Sequence, residues 1–404
     1  MTNPGPLEGI RVLDLATMLA GPYGATYLGD LGADVIKVES PYGDDTRHLG
    51  PERDGEHGNF LSLNRNKRGV VIDLTKPESG AVFARLAKTA DVLITNVREP
   101  AMSRLGISYE QVKAHRPDII WVHVTAFGRD GPYAGRPGID FLAQGYAGLV
   151  SLMGEPQNRP TRVTVPMVDI MTSLLVASSV MAALLERGKS GEGQRIDVSL
   201  LDALVHAQCT GLGNYFLTGW VTPRVGNGSP YFAPSGVYEC ADGKMVCLTC
   251  PTEKFFVNLC NAFGTGWVEE ERFATAEIRL EHKEELDALI EELCKRLPLD
   301  ELMTKLIDAD VMAAPMNRLP DAAADPQIRH NGMITTTKHA KLGEINVTGV
   351  PVHLERTPGS VRRGPPVQGQ HTREVLSELG YADDEIESLH GDGAVISSED
   401  GLGD

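Results

Sequence analysis

The sequence predicts an α/β protein with a Rossmann-like, doubly wound parallel sheet in a large domain, together with a smaller α+β domain. Three observations lead to this prediction. Short runs rich in Val and Ile alternate with helical sequence through the first half of the chain, as they do where helices connect parallel strands. The length of 404 residues exceeds the roughly 250 to 300 at which a single core stops growing. After residue 229 the pattern changes to a hairpin followed by helices.

The large domain is predicted to begin with a strand–helix–strand unit over residues 10–39. Its turn contains Gly21-Pro22, and its second strand covers residues 34–39. Further strands of the same sheet are predicted at residues 69–73, 91–95, 119–124 and 194–200. Helices are predicted at residues 141–152, 170–187 and 201–218, and the Gly- and Pro-rich residues 128–138 are predicted to form a loop.

The smaller domain is predicted from a hairpin over residues 235–249 that turns at Asp242-Gly243. Helices are predicted to follow at residues 254–263, 283–296 and 299–307. Residues 314–370 are rich in Pro, Gly and short β-like runs, and helices at 372–379 and 383–389 close the chain. The acidic segment after Gly391 is predicted to be loosely held.

Charge and composition argue against several classes of partner. A net charge of −17 argues against nucleic acid and anionic membranes, because both require an extended basic surface. The first residues lack the basic and apolar regions of a signal peptide, and the longest apolar stretch is interrupted by Ser178 and Ser179. We therefore expect a soluble, cytoplasmic protein.

The six cysteines have no regular spacing, which is typical of a protein from a reducing compartment. Cys247 and Cys250 lie three apart on a predicted strand, where their side chains point to opposite faces. Since no second pair and no suitably spaced histidine accompany them, packed structural thiols are predicted and no metal site is expected.

A local cluster of basic residues interrupts the acidic composition at residues 64–68, and Asn96, Arg98 and Arg104 follow further along the chain. A basic run can bind the phosphates of a small anion, or it can lie on a solvated face. The residues alone leave both interpretations open.

Asp169 is the most informative candidate for chemistry, because it stands where an extended stretch turns into a long apolar helix. A carboxylate at a helix start accepts hydrogen bonds from free N–H groups and lies at the positive end of the helix dipole, so we expect Asp169 to be ionised at neutral pH. An ionised carboxylate can attack an activated acyl group. Taken alone, the same position also suits an ordinary helix N-cap.

The first strand–helix–strand unit does not favour a nicotinamide or flavin site. Glu39 occupies the position of a ribose-binding acid, but residues 20–25 lack the G-x-G-x-x-G fingerprint. A Rossmann-like fold does not require that cofactor.

Seven short segments together carry a resemblance to a known family. They are LEGIRVLD at 7–14, AGP at 20–22, LGADVIKVE at 31–39, NKR at 66–68, DVLITN at 91–96, GEGQ at 191–194 and SLLDA at 199–203. In this order and spacing they resemble class III CoA-transferases, the formyl-CoA and carnitine CoA-transferase group, which shares its fold with α-methylacyl-CoA racemases. The resemblance covers most of the chain and places Asp169 where those transferases carry their nucleophilic aspartate.

The resemblance also implies a domain organisation. A large CoA-binding domain would comprise residues 1–204 and be completed by about 371–404, with a linker at 205–228, a small domain at 229–313 and a return linker at 314–370. Two such subunits would interlock as a dimer, with the active site at the interface of domains and subunits. A homodimer is the expectation, and a paralogous partner subunit remains open.

The CoA-binding residues that the resemblance implies lie at the strand ends of the large domain. They are Ser40, Ile72, Asp73, Leu74, Thr75, Asn96, Val97, Arg98 and Arg104. The planar guanidinium groups of Arg98 and Arg104 suit phosphate. Leu19 and Ser40 depart from the formyl-CoA enzymes, which carry Gln and Arg at these two positions.

Two further residues come from the resemblance, each with a structural alternative. Asp140 is a candidate supporting carboxylate near the nucleophile, and it could equally cap the helix before Phe141. Gly228 lies in the loop of residues 226–229, which could supply oxyanion donors, shield an intermediate from water or be a plain linker.

The implied activity is transfer of CoA from a donor acyl-CoA to an organic acid through an aspartyl anhydride and an aspartyl-CoA thioester on Asp169. This chemistry requires no cofactor beyond the substrate coenzyme A, because covalent catalysis divides one exchange into easier steps. Succinyl-CoA is the donor expected from the resemblance, while the residues do not name either acid.

Three alternatives remain. A 2-methylacyl-CoA racemase or epimerase would need a His–Asp pair, yet residues 135–141 contain no histidine and His123 lies on a predicted buried strand. A nicotinamide oxidoreductase lacks its fingerprint. A non-catalytic CoA-binding subunit would have no need of Asp169.

Overall fold

The computed structural model describes residues 5–398, so the predictions for residues 1–4 and 399–404 lie outside it. The chain divides into two compact units. The first comprises residues 1–147, 164–208 and 326–404, and the second comprises residues 148–163 and 209–325.

This division differs from the predicted boundaries at residues 148–163 and at both predicted linkers. Residues 326–370, predicted as part of a return linker, belong to the first unit, and residues 148–163 belong to the second. Residues 209–228 and 314–325, also predicted as linker, belong to the second unit. The physical reason in the first case is hydrogen bonding: Asn66 bonds to the backbone of Ser360 and Arg362, and the Ser360 N–H donates to the carbonyl of Asp30.

The secondary structure of the described residues is as follows. The strands are β1 Arg11–Asp14, β2 Asp34–Glu39, β3 Glu52–Arg53, β4 Glu56–His57, β5 Lys67–Ile72, β6 Val92–Thr95, β7 Ile120–Thr125, β8 Arg195–Ser199, β9 Ser235–Glu239, β10 Met245–Thr249, β11 Met312–Pro315, β12 Ile334–His339, β13 Gly343–Thr348 and β14 Val395–Ile396. The α-helices are α1 Ala20–Asp30, α2 Gly58–Leu63, α3 Ser79–Lys88, α4 Glu99–Leu105, α5 Tyr109–His115, α6 Asp140–Tyr146, α7 Leu149–Leu152, α8 Met167–Ser190, α9 Leu200–Ala207, α10 Cys209–Thr218, α11 Glu253–Phe263, α12 Ala276–Glu281, α13 Lys283–Cys294, α14 Leu299–Asp308, α15 Leu319–Ala324, α16 Pro326–His330, α17 Thr372–Glu378 and α18 Asp383–Gly391. Short 3-10 helices lie at Asp45–His48, Trp267–Glu269 and Glu271–Phe273.

The first unit is built on a sheet with the strand order β14-β5-β2-β1-β6-β7-β8. Neighbouring strands are parallel except for β14, which pairs antiparallel with β5. The prediction that the segment after Gly391 is loosely held is therefore wrong for Val395 and Ile396, because they pair with β5. Val12, Ile36 and Trp121 are fully buried on its central strands, as expected where helices cover both faces of a parallel sheet. The predicted α/β class with a largely parallel sheet is confirmed.

The strand order reverses beside β1. From β1 the chain proceeds outward through β2 and β5, and then returns to place β6, β7 and β8 on the other side of β1. In open sheets of this type, ligands bind outside the carboxyl ends of the strands at such a switch point. The topology therefore directs attention to the loops that follow β1 and β6.

Helices α1 and α8 lie side by side and both begin at this carboxyl edge, because α1 follows β1 and α8 precedes β8. Gly24 allows close contact, since a Cβ there would lie 3.0 Å from both the Ser173 carbonyl oxygen and the Val176 Cβ. Within the described residues, α8 is the helix long and apolar enough to cross a membrane, with a mean hydropathy of 1.9. Here it packs against α1, β7 and β8 as a core helix.

The second unit has an antiparallel sheet in the order β11-β10-β9, with helices α11 to α14 packed around it. The predicted hairpin turn at Asp242-Gly243 joins β9 to β10. Cys250 is buried in this core, and burial raises the pKa of its thiol to about 12. The interpretation of Cys250 as a packed structural thiol is confirmed, while Cys247 is half-buried.

Candidate active site

The carboxyl edge of the large sheet brings together the residues predicted to bind CoA. Ser40 directly follows β2, Ile72 ends β5, and Asn96 directly follows β6. These three strands and β1 are neighbours in the sheet. The turns that carry the predicted residues therefore lie along one edge, at the switch point of the strand order.

The turn after β5 is held by its own side chains. Asp73 Oδ1 accepts hydrogen bonds from the Thr75 N–H at 3.0 Å and from Thr75 Oγ1 at 2.6 Å. The Asp73 N–H donates to the carbonyl of Ala394 at 2.9 Å. These contacts fix the backbone of residues 72–75, so this turn can present an exposed Thr75 without reorganising.

The turn after β6 is fixed from two sides. His123 Nε2 donates to the carbonyl of Val97 at 3.1 Å, and the Val97 N–H donates to Thr95 Oγ1 at 3.2 Å. The side-chain amide of Asn96 is engaged at both ends with the backbone of Thr17. The interpretation of His123 as a buried core histidine is confirmed, and it supports the backbone on which Arg98 stands.

Arg98 is the N-cap of helix α4 and Arg104 lies in its last turn, and both are exposed. Among the described residues, neither guanidinium forms a salt bridge. By contrast, Arg195 on the adjoining strand β8 pairs with Glu99 and Asp197. Arg98 and Arg104 are thus available for the phosphates of a nucleotide.

The basic run at residues 64–68 fits neither of the two interpretations drawn from sequence. Arg65 is buried and pairs with Asp30, Lys67 is fully buried and donates to Asp14 at 2.7 Å, and Arg68 pairs with Asp34 at 2.7 Å. The run is therefore an internal set of ion pairs. These three aspartates were not recognised as partners because they lie between 34 and 53 positions away in the chain.

A cleft of about 490 Å³ opens at the opposite, amino-terminal edge of the sheet. Arg11 and Arg68 line it, but Asp34 and Glu378 neutralise both guanidinium groups. Because its charges are balanced, this cleft offers a phosphate group little that the carboxyl edge does not offer better.

Asp169 is the third residue of α8, at the carboxyl edge of the sheet. Its side chain is half-buried. Burial raises the pKa of its carboxyl to about 7, and the nearby negative charge of Asp140 contributes in the same direction. Asp169 is therefore a carboxyl group that gains or loses its proton close to neutral pH, as suits a group that must act as a nucleophile and then become part of an acyl intermediate.

Asp140 holds the first turn of α8. Its Oδ2 accepts hydrogen bonds from the N–H groups of Val168 at 2.8 Å and Asp169 at 3.2 Å, and its Oδ1 accepts from Gln144 Nε2 at 2.5 Å. The N-cap of α8 is Pro166, so three N–H groups precede the first intrahelical hydrogen bond, and Asp140 accepts from two of them. The sequence offered a helix-capping role for Asp140 as the alternative, at the start of the helix that contains Phe141. Asp140 does cap a helix, but that helix is α8.

These contacts correct the expectation for Asp169. The sequence predicted that Asp169 would accept the helix N–H groups and so remain ionised at neutral pH. Asp140 accepts these hydrogen bonds instead. Burial and the nearby negative charge of Asp140 both disfavour the ionised form of Asp169, so its pKa lies above the ordinary 3.8.

Gly228 belongs to the second unit. Its N–H donates to the carbonyl of Val225 at 2.9 Å, and a Cβ at this position would lie 2.7 Å from the side chain of Lys283. An oxyanion role for Gly228 would require this hydrogen bond to open, so the role stays a prediction.

Three residues near the switch point were not recognised from the sequence. Asp14, Lys37 and Asp44 are almost fully buried, and all three contact the loop that follows β1. The available signal was a lysine in the otherwise apolar strand β2, where a charge is retained only if it is paired.

Comparison with known proteins gives a consistent result. The family model described as CoA-transferase family III matches residues 7–372. The chain is 37% identical over 383 residues to the succinate–glutarate CoA-transferase of Agrobacterium fabrum, covering 93% of this chain and 96% of that protein. It is 34% identical over 395 residues to the succinyl-CoA–L-malate CoA-transferase beta subunit of Chloroflexus aurantiacus, covering 96% and 98%.

A solved structure shares the fold over the same length. The crystal structure of a CAIB/BAIF family protein from Brucella suis matches with a TM-score of 0.87 and 35% identity, covering 94% of this chain and 100% of that chain. Since sequence and fold agree over nearly the whole length, the chain belongs to CoA-transferase family III and is a CoA-transferase.

Proposed function

We propose that this CoA-transferase moves CoA from succinyl-CoA to a dicarboxylic acid, with Asp169 as the nucleophile. The relative from Agrobacterium fabrum is named for succinate and glutarate, and the Chloroflexus aurantiacus subunit is named for succinyl-CoA and L-malate. A succinyl group and a dicarboxylic partner are common to both names, which supports this substrate class for the present chain.

One observation carries the mechanism. A half-buried carboxyl with a pKa of about 7 begins the helix beside α1, at the edge where Arg98 and Arg104 are free of carboxylate partners. A CoA whose phosphates contact these arginines would lie along the edge at which Asp169 stands. The carboxylate and the thioester can then be held in one orientation, which lowers the barrier to attack.

The proposed exchange has four balanced steps. An Asp169 carboxylate oxygen attacks the thioester carbon, and CoA leaves as a thiolate with an aspartyl–acyl anhydride formed. The thiolate attacks the Asp169 side-chain carbon of this anhydride, which releases the donor acid as its carboxylate and leaves an aspartyl-CoA thioester. The acceptor carboxylate attacks that thioester, which expels the CoA thiolate and forms a second anhydride, between Asp169 and the acceptor acid. The thiolate finally attacks the acceptor carbonyl, forming the new acyl-CoA and restoring Asp169.

Asp140 serves this exchange by position. Its hydrogen bonds to the first turn of α8 fix the backbone that carries Asp169. Its negative charge keeps Asp169 basic, and a more basic carboxylate is a stronger nucleophile once it is ionised. Asp140 is therefore proposed as a positioning residue that also tunes the nucleophile.

The remaining parts of the assignment are also proposals. We assign Ser40, residues 72–75 and residues 96–98 to CoA binding together with Arg104, and no cofactor beyond the substrate CoA. The subunit is proposed to act in the cytoplasm as an interlocked dimer. A paralogous partner is an alternative that the alpha and beta naming of the Chloroflexus relatives supports.

The test is a steady-state assay of CoA transfer from succinyl-CoA to glutarate, L-malate and acetate. Wild type is expected to use the dicarboxylic acids in preference to acetate, and Asp169→Ala is expected to use none. Asp300→Ala is the matched control, because Asp300 is an exposed aspartate in the first turn of α14. Transfer by Asp169→Ala at the wild-type rate, or a preference for acetate, would contradict the proposal.

A further inference from the structure

The loop after β1 is held by an unusually complete set of side-chain contacts. Asp14 Oδ1 accepts from the Ala16 N–H at 3.1 Å, and Lys37 Nζ donates to the Ala16 carbonyl. Asn96 accepts from the Thr17 N–H at 3.0 Å and donates to the Thr17 carbonyl at 2.8 Å. Asp44 Oδ1 accepts from the Met18 N–H at 3.3 Å. Five consecutive backbone polar groups of residues 16–18 are thus bound by four side chains.

We call these four side chains the loop frame: Asp14, Lys37, Asp44 and Asn96. Lys37 and Asp44 are its charged centre, with Nζ and Oδ2 2.7 Å apart, and both side chains are at most 1% exposed. Burial alone would raise the pKa of Asp44, but the Lys37 charge and the Thr46 hydrogen bonds outweigh it and lower the pKa to about 2. The pair is ionised at every pH at which the enzyme would work.

The conformation that the frame holds is a strained one. Met18 has a φ of 69°, which is the left-handed region that residues other than Gly seldom adopt. Such a conformation costs an L-residue about 1 to 2 kcal/mol and persists only where its surroundings over-determine it. A single residue is strained here, and the frame binds its N–H and the residues just before it.

The loop also leads into the helix that packs against α8, which carries the proposed nucleophile. Residue 19 is the N-cap of α1, so the loop leads directly into that helix at the carboxyl edge. α8 runs parallel to α1, in contact with it, and carries Asp169 in its first turn. At its other side the loop is bound by Asn96, which stands on the turn assigned to CoA. The loop therefore joins the turn assigned to CoA to helix α1, which packs against the helix that carries Asp169.

We propose that Lys37 and Asp44 are positioning residues that hold the Thr17–Met18–Leu19 loop in its left-handed form, so that the loop shapes the acyl site beside Asp169. This inference rests on the proposed role of Asp169 as nucleophile. The frame bonds to backbone rather than to substrate, and it acts through the loop.

The test is Asp44→Asn in the full-length enzyme. An amide of the same shape either presents its NH₂ group to Lys37 Nζ or, when flipped, loses the acceptor for the Met18 N–H. The strain is then no longer compensated, and kcat is expected to fall roughly five- to thirty-fold, the factor that corresponds to 1 to 2 kcal/mol. The KM for acyl-CoA should change less than kcat, because the substitution leaves Asn96, Arg98 and Arg104, the nearby residues assigned to CoA, in place.

The matched control is Asp30→Asn. Asp30 is 1% exposed, pairs with Arg65 and ends α1 at the opposite edge of the sheet. Both variants should lose thermal stability, but only Asp44→Asn should lose kcat beyond that loss of folded enzyme. Equal effects of the two variants on kcat, measured per folded molecule, would overturn the inference.

Met18→Gly provides a second, independent measurement. Gly adopts the left-handed region without strain, so Asp44→Asn should cost less kcat in a Met18→Gly background than in wild type. If Asp44→Asn does not fold, Met18→Val and Met18→Leu replace it: the β-branched residue should lose several-fold more kcat than Leu, because it resists a positive φ. Additive losses of kcat in the Asp44→Asn Met18→Gly double variant would contradict the proposed role of the loop. Equal activities of Met18→Val and Met18→Leu would contradict it as well.

The outcome can be separated from that of the proposed function. Trapping of an acyl adduct on Asp169 in wild type tests the nucleophile, whatever happens at the loop. An adduct in wild type that forms equally fast in Asp44→Asn would refute the frame alone. Absence of an adduct in wild type, with transfer still observed, would refute the role of Asp169.

Discussion

Replacement of Asp140 by Asn should move the pH dependence of the enzyme to lower pH. The substitution removes a negative charge near Asp169. The side-chain oxygen of the introduced Asn can still accept hydrogen bonds from the N–H groups of Val168 and Asp169. Two carboxylates about 6 Å apart repel by roughly 3 kcal/mol at an effective dielectric constant of 20. Since 1.36 kcal/mol corresponds to one pKa unit, the pKa of Asp169 should fall from about 7 by about 1 to 2.

The consequence is largest below neutrality. If the pKa falls by about 1.5, the ionised fraction of Asp169 at pH 6 rises from about a tenth to about three quarters. The single-turnover rate of acyl transfer to the enzyme should then rise at pH 6, by at most roughly eightfold because the less basic carboxylate is also a weaker nucleophile. At pH 8 both proteins are ionised, and the variant should be slower because a less basic carboxylate is a weaker nucleophile.

The assay is a pH profile of that single-turnover rate from pH 5 to pH 9. Asp140→Ala is the control, because it removes the same charge and also the cap, at a cost of about 1 kcal/mol of stability. Both variants should have the lower midpoint, and only Asp140→Ala should melt clearly earlier. A midpoint that stays near pH 7 in both would refute the electrostatic account of Asp169.

Three further predictions follow from the same contacts. Asp169→Asn should melt at a higher temperature than wild type at pH 8 and at the same temperature at pH 4. Because the folded-state pKa of Asp169 is raised, its charge lowers the stability of wild type; this loss is absent below about pH 4 and complete above about pH 7. A lower melting temperature of the variant at pH 8 would contradict this. Arg98→Ala and Arg104→Ala should each raise the KM for succinyl-CoA about tenfold or more, which corresponds to the loss of a hydrogen bond to a charged group. The KM for succinyl-pantetheine should not change. The control Arg318→Ala removes an exposed guanidinium from the second unit and should change neither KM. Lys67→Met should destabilise the protein by about 3 to 5 kcal/mol in chemical denaturation, because it leaves Asp14 as a buried charge without its closest partner. The KM for acyl-CoA of the folded variant should stay within about twofold of wild type. A larger increase in KM would indicate that Lys67 contributes to phosphate binding.

The sequence was sufficient for the elements of the fold whose information is local. β1, β2, β6 and β7 are apolar runs bounded by turn residues, and each lies within a few positions of its prediction. Helix α8 was also predicted, although it begins at Met167 rather than at Ile170. The helix predicted over residues 201–218 is divided into α9 and α10 at Gln208, a break that no Gly or Pro announces.

What the sequence could not supply is the identity of partners that are distant in the chain. The basic residues 65–68 were interpreted as exposed or phosphate-binding, because Asp14, Asp30 and Asp34 are brought to them only by the parallel pairing of β1, β2 and β5 and by α1. Asp169 was expected to cap its own helix, because nothing local shows that Asp140, 29 residues earlier, already does so. Both errors concern charge, whose effect depends on burial and on neighbours rather than on residue type.

The loop frame illustrates the same limit. Lys37 was visible in the sequence as a charge in an apolar strand, and Asn96 was named for CoA contact. That both bind the backbone of residues 16–17 follows only from the position of β1 between β2 and β6. Asn96 therefore has a structural task beyond the ligand contact that was predicted for it.

The most direct test of the central claim is to trap the acyl-enzyme. Enzyme incubated with succinyl-CoA is quenched with hydroxylamine and analysed by peptide mass spectrometry, with Asp169→Asn and Asp140→Asn treated in parallel. We expect a hydroxamate confined to the side chain of Asp169, absent from Asp169→Asn and present in Asp140→Asn. A hydroxamate on another carboxylate, or rapid CoA transfer by Asp169→Asn, would contradict it.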